Sequence, residues 1–218
     1  MWSMDGFGAI IGPPAWRELT ALGRPGTYEP GEILMRQGDI ADQVLLLVAG
    51  RVKVSLVDAE GHSMLLAVRG PGQVLGDITV IDGARRSATV SAIDECEVSA
   101  VSRDSFLRAL QAMGLHNELV RFAMRLFRES EELRLELATL KAGPRVVRGL
   151  LRLAVSTSRE VKSIDIGLSQ AEFGEAIGLS RASVADKLAE LRSAGLVNTK
   201  RERIIITDLP GLRDRASR

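Results

Sequence analysis

Gly76-Asp77 and Arg86-Ser87 bracket a segment whose residue types and spacing could hold a small anion. From Pro71 the chain makes a Gly-rich turn, has room for one or two helical turns from Gly76, and returns as a strand through Arg86-Ser87. Backbone N–H groups at a short helix start, with a guanidinium and a hydroxyl brought back against them, form an anion site that a phosphate fits. The same spacing also suits a plain loop in which Arg86 pairs with Asp77 or Asp82. A second group of residues points to a polyanion. Ser180-Arg181-Ala182-Ser183 opens a helix, and Lys200-Arg201-Glu202 forms a basic tip between two apolar runs. The chemistry these residues suggest is binding. No Ser/His/Asp constellation, P-loop or metal cluster is visible, and no enzyme is expected.

Composition narrows the classes. At 218 residues and 45% hydrophobic content the chain can fill two cores, while 4% aromatic residues leave little for stacking single-stranded nucleic acid. The single Cys96 excludes an internal disulfide, a zinc knuckle and a protein-ligated iron-sulfur cluster. His62 and His116 lie far apart and read as surface residues, so no metal or haem is expected. The N-terminus lacks a secretion pattern and no apolar run approaches the ~18 residues of a membrane span, which predicts a cytoplasmic protein with no membrane partner. Residues 1–143 carry 15 Lys/Arg against 19 Asp/Glu, and residues 144–218 carry 14 against 9. Only the tail half is suited to approach a polyanion.

The elements that must position these residues fall into three parts. Residues 1–114 form a front domain. After the helical-looking stretch Ala15–Leu22, short β-rich runs at Glu32–Met35, Gln43–Val48, Val52–Val57, Ser63–Val68, Ala88–Ala92 and Glu97–Val101 alternate with glycines, which predicts an antiparallel sandwich or barrel. Residues 115–142 read as one long helix. Leu119, Ala123, Leu126, Ser130, Leu133, Leu137 and Leu140 repeat in a 4,3 alternation that predicts a coiled-coil seam with a second copy. Ser130 is the polar residue of that seam; it fixes register, touches something polar, or bonds back to its own helix. The helix is expected to end at Gly143-Pro144.

Residues 143–218 form a tail domain. Pro144 opens a helix buried through Val146, Val147, Leu150, Leu151 and Ala154, and the polar stretch Ser156–Lys162 follows. Ser169-Gln170-Ala171-Glu172 has capping-box spacing and starts a helix to Gly178; Ser180 caps the next, with Val184, Leu188 and Leu191 inward. Two short helices around a Gly-containing turn form a helix-turn-helix pattern, and Leu196–Asn198 with Arg203–Thr207 add a hairpin whose basic tip suits a phosphate backbone.

The segment from Gly76 to Ser87 resembles the phosphate-binding cassette of cyclic-nucleotide-binding domains. Gly31-Glu32-Ile33-Leu34 with Gly38-Asp39, and Val44 to Val54, resemble that family's opening β-roll. The resemblance implies that Arg86 and Ser87 hold a cyclic phosphate, that Gly76 and Ile78 border it, and that Asp77, a Glu in most of the family, hydrogen-bonds the ribose. Gln170 to Arg181 resembles the C-terminal domain of Crp/Fnr-type transcription regulators, so the whole chain is expected to be α+β: an antiparallel β-roll, a dimerisation helix and a winged helix-turn-helix domain. The implied partners are double-stranded DNA, a second copy and RNA polymerase. Arg181 would read a guanine, and Gln170, Ser180, Ala182, Ser183, Asp186, Lys187, Lys200 and Arg201 would border the DNA. Where the family's cyclic-AMP-responsive type has a Glu and, four residues on, an Arg, this chain has Ala182 and Asp186. Ser130 matches a hydroxyl that contacts adenine, and Glu131 stands where a second hydroxyl is expected from the partner. Cyclic AMP is the expected effector, with cyclic GMP, another metabolite or none as alternatives. A regulatory subunit that never touches DNA is the remaining reading.

Overall fold

The structure, a computed structural model, describes residues 6–60, 63–154, 163–200 and 203–217. The front domain begins with α1 (Phe7–Ala21), bent at Gly12, and continues through β1 (Arg24–Tyr28), β2 (Ile33–Met35), β3 (Gln43–Ala49), β4 (Val52–Val57), β5 (Ser63–Arg69) and β6 (Val74–Leu75). It closes with α2 (Asp77–Asp82), β7 (Thr89–Ala92), β8 (Cys96–Ser102) and α3 (Arg103–Ala112). Two antiparallel four-stranded sheets result, ordered β1-β8-β3-β6 and β2-β7-β4-β5. The apolar run Val44-Leu45-Leu46-Leu47 explains the layering. Leu45 and Leu47 pack between the sheets with Met35, Val90 and Val98, while Val44 and Leu46 face the helices with Phe7, Phe106 and Phe122. A strand covered on both faces loses the alternation of a half-exposed one. β1, β6 and α3 were not legible as separate elements; α3 is set by a local cap, Ser102 accepting from the Ser105 N–H.

α4 (His116–Thr139) is the long helix, and its 4,3 stripe is covered in part by the same chain. Leu119 and Leu133 are buried, with Phe122, against the chain's own domains, and Leu126 packs on the front core. The apolar residues left exposed are Val120, Met124, Phe127 and Leu135, at 41, 48, 57 and 64%. The helix carries two apolar stripes; of the regular one, Leu119 and Leu133 are buried and Ala123, Leu126, Ser130, Leu137 and Leu140 are half-buried within the single chain. The helix end also differs from expectation. Leu140 and Lys141 are extended, and α5 (Ala142–Leu153) holds Gly143 and Pro144 in its first turn, where a missing N–H leaves no intrahelical bond unmade.

The tail domain comprises α5, β9 (Ile164–Asp165), α6 (Gln170–Ile177), α7 (Arg181–Ser193), β10 (Val197–Lys200), β11 (Arg203–Ile206) and α8 (Leu209–Ala216), with the three strands in one sheet. The expected capping box is present: Ser169 Oγ accepts from the Glu172 N–H and Glu172 accepts from the Ser169 N–H. Ser156–Lys162 and the tip residues Arg201 and Glu202 lie outside the described residues.

The two domains are docked on one another. Leu65, Val68 and Ile93 of the front sheet share a core with Ile166, Leu168 and Phe173. Buried Arg51 forks onto Asp94 at 2.6 and 2.9 Å and also donates to the Asp165 carbonyl, while Lys53 Nζ meets Glu172 Oε1 at 2.6 Å. Desolvation raises the Glu172 pKa, but hydrogen bonds from Lys53 and Ser169 outweigh it and hold the carboxyl below its usual value. Gly167 permits the close approach: its φ is +72°, and a Cβ there would stand 2.3 Å from Ile93 Cγ2. The joint is braced too, since Arg145 donates to the Leu140 carbonyl at 2.6 Å and Arg152 meets Glu136 at 2.5 Å. Arg51→Met is expected to lower stability by about 2 kcal/mol, because it leaves a half-buried carboxylate and a carbonyl without a donor; urea unfolding measures it.

Candidate functional site

The turn Gly76 and the six-residue α2 build the floor of a cavity of about 500 Å³. Its mouth and roof are formed by β5, by the Arg86-Ser87 return and by α4. Gly76 has φ +85°, and a Cβ there would stand 2.1 Å from Arg86 Nη1, so only glycine lets the guanidinium lie over the turn. Arg86 is 6% exposed; its Nη1 donates to Thr79 Oγ1 at 3.1 Å and its Nη2 to the Gln43 carbonyl. Burial lowers its pKa, and the carboxylates Asp42 and Asp39 oppose that shift. Among the described residues no ion pair joins Arg86 to Asp77 or Asp82, the alternative the spacing allowed.

Asp77 is the unusual group. Its side chain is buried, and Oδ2 has no hydrogen-bond partner. Burial pushes its pKa from 3.8 up to about 6, although the backbone N–H groups of Asp77 and Ile78 and the Arg69 charge pull it down. An orphaned acceptor lining a cavity is suited to a hydroxyl donor from a ligand.

Gly76, Asp77, Ile78, Arg86, Ser87 and Ser130 all line this cavity. Glu131 does not; it is exposed and meets Arg134 at 2.7 Å. Met35, Leu66, Met124, Phe127 and Leu133 add apolar wall, and the ion pair Arg69–Glu129 at 2.8 Å adds charge. Neither member of that pair stands in a motif, and sixty residues separate them in sequence.

On the tail, Ser180 caps α7 by accepting from the Ser183 N–H at 3.2 Å, and both hydroxyls are 3.0 Å apart. Arg181, Ala182 and Asp186 are exposed at the start of α7, with Val184, Leu188 and Leu191 buried behind them. Lys187 is half-buried and engaged with Glu190 at 2.5 Å, and Lys200 is exposed at the hairpin. Gln170, at the first turn of α6, is half-buried beside the Lys53–Glu172 contact. Arg201 lies outside the described residues. Among the described residues no helix is long and apolar enough to cross a membrane, and no three His, Cys, Asp or Glu side chains are grouped to hold a metal. Cys96 is buried, and burial raises its pKa to about 11.

A β-roll with this cavity, joined through one long helix to a helix-turn-helix domain, defines a ligand-sensing DNA-binding regulator. Residues 25–113 match the cyclic nucleotide-binding domain, and residues 144–215 match the Crp-like helix-turn-helix domain. The chain belongs to the Crp/Fnr-type transcription regulators. It is 25% identical over 211 residues, 94% of both chains, to the CRP-like cAMP-activated global transcriptional regulator of Mycobacterium tuberculosis. It is 29% identical to the cyclic AMP receptor protein of Thermus thermophilus, over 78% of this chain and 77% of that protein. The structure of FixK2 from Bradyrhizobium japonicum shares the fold, with a TM-score of 0.75 at 21% identity over 88% of this chain and 96% of that one.

Proposed function

We propose that this regulator is a homodimer gated by cyclic AMP, acting in the cytoplasm on DNA and, from there, on RNA polymerase. One observation carries the effector reading: the partnerless Asp77 Oδ2 lines the same cavity as Arg86 and Ser87. The phosphate would lie against Arg86, Ser87 and the Gly76 backbone, and the ribose hydroxyl would donate to Asp77. The exposed stripe of Val120, Met124, Phe127 and Leu135 supports pairing with a second α4. Two recognition helices related by a two-fold axis reach half-sites about 34 Å apart. Cyclic AMP would then favour one arrangement of the paired helices, and DNA would favour the same one.

Titration by calorimetry across pH 5–8 tests the site. A hydroxyl donating to Asp77 stabilises its carboxylate, so the bound pKa falls below the free value of about 6. Affinity is therefore expected to fall as pH drops through 6, and Asp77→Asn to abolish that dependence. The sign for folding is opposite: with the folded pKa raised above 3.8, the stability associated with a protonated Asp77 is lost as pH rises through about 6. Absence of binding at every pH would overturn the effector reading. A different small anion is the second reading, favoured by the residue types Asp77 and Glu131 where the resemblance has a Glu and a hydroxyl; it predicts a DNA affinity indifferent to cyclic nucleotides.

A further inference from the structure

We infer that the tail domain supplies a residue to the effector site: Arg152 of α5 turns from Glu136 to hold the base of a bound cyclic nucleotide. This rests on the cyclic-nucleotide reading above. Among the described residues, all that line the cavity lie between Met35 and Leu133 except Arg152. The docking of the domains carries it there. α5 buries Val147 and Leu150 in the core shared with Val68 of β5, and β5 is a wall of the cavity. The level of Arg152 within the cavity is read along α4. Arg86 bonds Thr79 of α2, and the next residue, Val80, shares a cluster with Leu119 and Phe122, so the phosphate end lies at the first half of α4. Arg152 meets Glu136 at 2.5 Å, and Glu136 stands about 9 Å along the helix axis beyond Ser130. Arg152 therefore faces the end remote from the phosphate, where the base lies.

The guanidinium is only partly engaged. Nη1 meets Glu136, but Nε is buried with no hydrogen-bond partner among the described residues, and the group has five N–H donors in all. Its counter-ion also stands apart from the ligand space, because Glu136 is not among the lining residues. Arg69, by contrast, is paired with a carboxylate that lines the cavity beside it, Glu129 at 2.8 Å. Glu136 has a second cation in Arg148 at 3.7 Å, which stays when Arg152 turns away. A purine offers a guanidinium ring-nitrogen acceptors and a flat face for stacking. Adenine and guanine both do so, and Arg152 adds affinity without choosing between them. Arg152–Glu136 is also a tie across Leu140-Lys141, so a ligand that takes Arg152 loosens that joint and makes the occupancy of the front domain felt in the tail.

The test titrates the full chain with cyclic AMP, cyclic GMP and ribose cyclic phosphate, which has no base. Arg152→Met is expected to weaken both nucleotides about tenfold or more and to leave the baseless ligand unchanged. Arg152→Lys, which keeps the charge and loses the planar fork, is expected to lie between wild type and the methionine variant. Glu136→Gln breaks the same ion pair from its other side, yet it leaves Arg152 free for the ligand, and it is expected to bind both nucleotides at least as tightly as wild type. A pair that only braces the fold would make Arg152→Met and Glu136→Gln lose affinity together. That result, unchanged binding by Arg152→Met, or an equal loss with the baseless ligand overturns the inference and leaves the cyclic-nucleotide site standing. Should the methionine variant fail to fold in urea titrations, the lysine and glutamine variants decide by their opposite directions. Failure of wild type to bind either nucleotide overturns that site and this assignment together.

Discussion

Arg86→Leu is expected to weaken cyclic-nucleotide binding a hundredfold or more. A guanidinium that is 6% exposed would meet the phosphate in a site poor in water, where a charge-assisted hydrogen bond contributes about 1.5–3 kcal/mol and an unmatched phosphate charge adds a desolvation penalty. At 1.4 kcal/mol per tenfold, two such bonds exceed a factor of 100. The same side chain also serves the fold, through Thr79 and Gln43, so the variant is expected to lose about 1–3 kcal/mol of stability as well. Calorimetry at a temperature where the variant is fully folded, checked by urea unfolding, separates the two effects. Arg86→Lys keeps the charge and loses the fork, and its affinity is expected to lie between those of wild type and the leucine variant. Unchanged binding by Arg86→Leu would remove the phosphate from this cavity.

Arg181→Ala is expected to abolish discrimination between the operator and other DNA. Arg181 is the first residue of α7, exposed, on a helix fixed by the Ser180 cap and by buried Val184, Leu188 and Leu191. A bidentate contact to guanine contributes about 1–3 kcal/mol of discrimination, and the proposed two-fold dimer would make it twice, giving about 2–6 kcal/mol. Binding to non-operator DNA should change little, and only through the phosphate contribution, visible as a smaller salt slope. Competition gel shifts with operator and scrambled duplexes read the ratio directly. A variant that keeps the wild-type ratio would place recognition elsewhere on the tail.

The pattern of what the chain reveals before it folds follows the range of the interactions. The Ser169-Glu172 capping box and the Ser180 cap are local devices, closed within three residues, and the helices they begin stand where the residues predict. Gly76-Asp77 and Arg86-Ser87 are legible as a segment, yet the Thr79 and Gln43 partners of Arg86 come from the fold. The repeat from Leu119 to Leu140 is legible as an apolar face, but periodicity does not say how much of that face the same chain covers; Leu119 and Leu133 are buried by it and the others half-buried. Arg69–Glu129, Lys53–Glu172 and the Arg51 fork join residues 43 to 119 apart, and nothing in local spacing announces them.

The docking of the tail on the β4–β5 sheet gives the molecule a separate control over its set point. Any swing of the tail about Leu140-Lys141 must break Lys53–Glu172, expose Leu65 and Val68, and free Arg51 from Asp165. If the gating proposed above works by such a swing, that penalty would multiply the ligand concentration needed for half-maximal response by about tenfold for each 1.4 kcal/mol. Substitutions at Lys53, Gly167 or Ile93 would then retune the threshold of the proposed switch without touching the residues assigned to effector and operator.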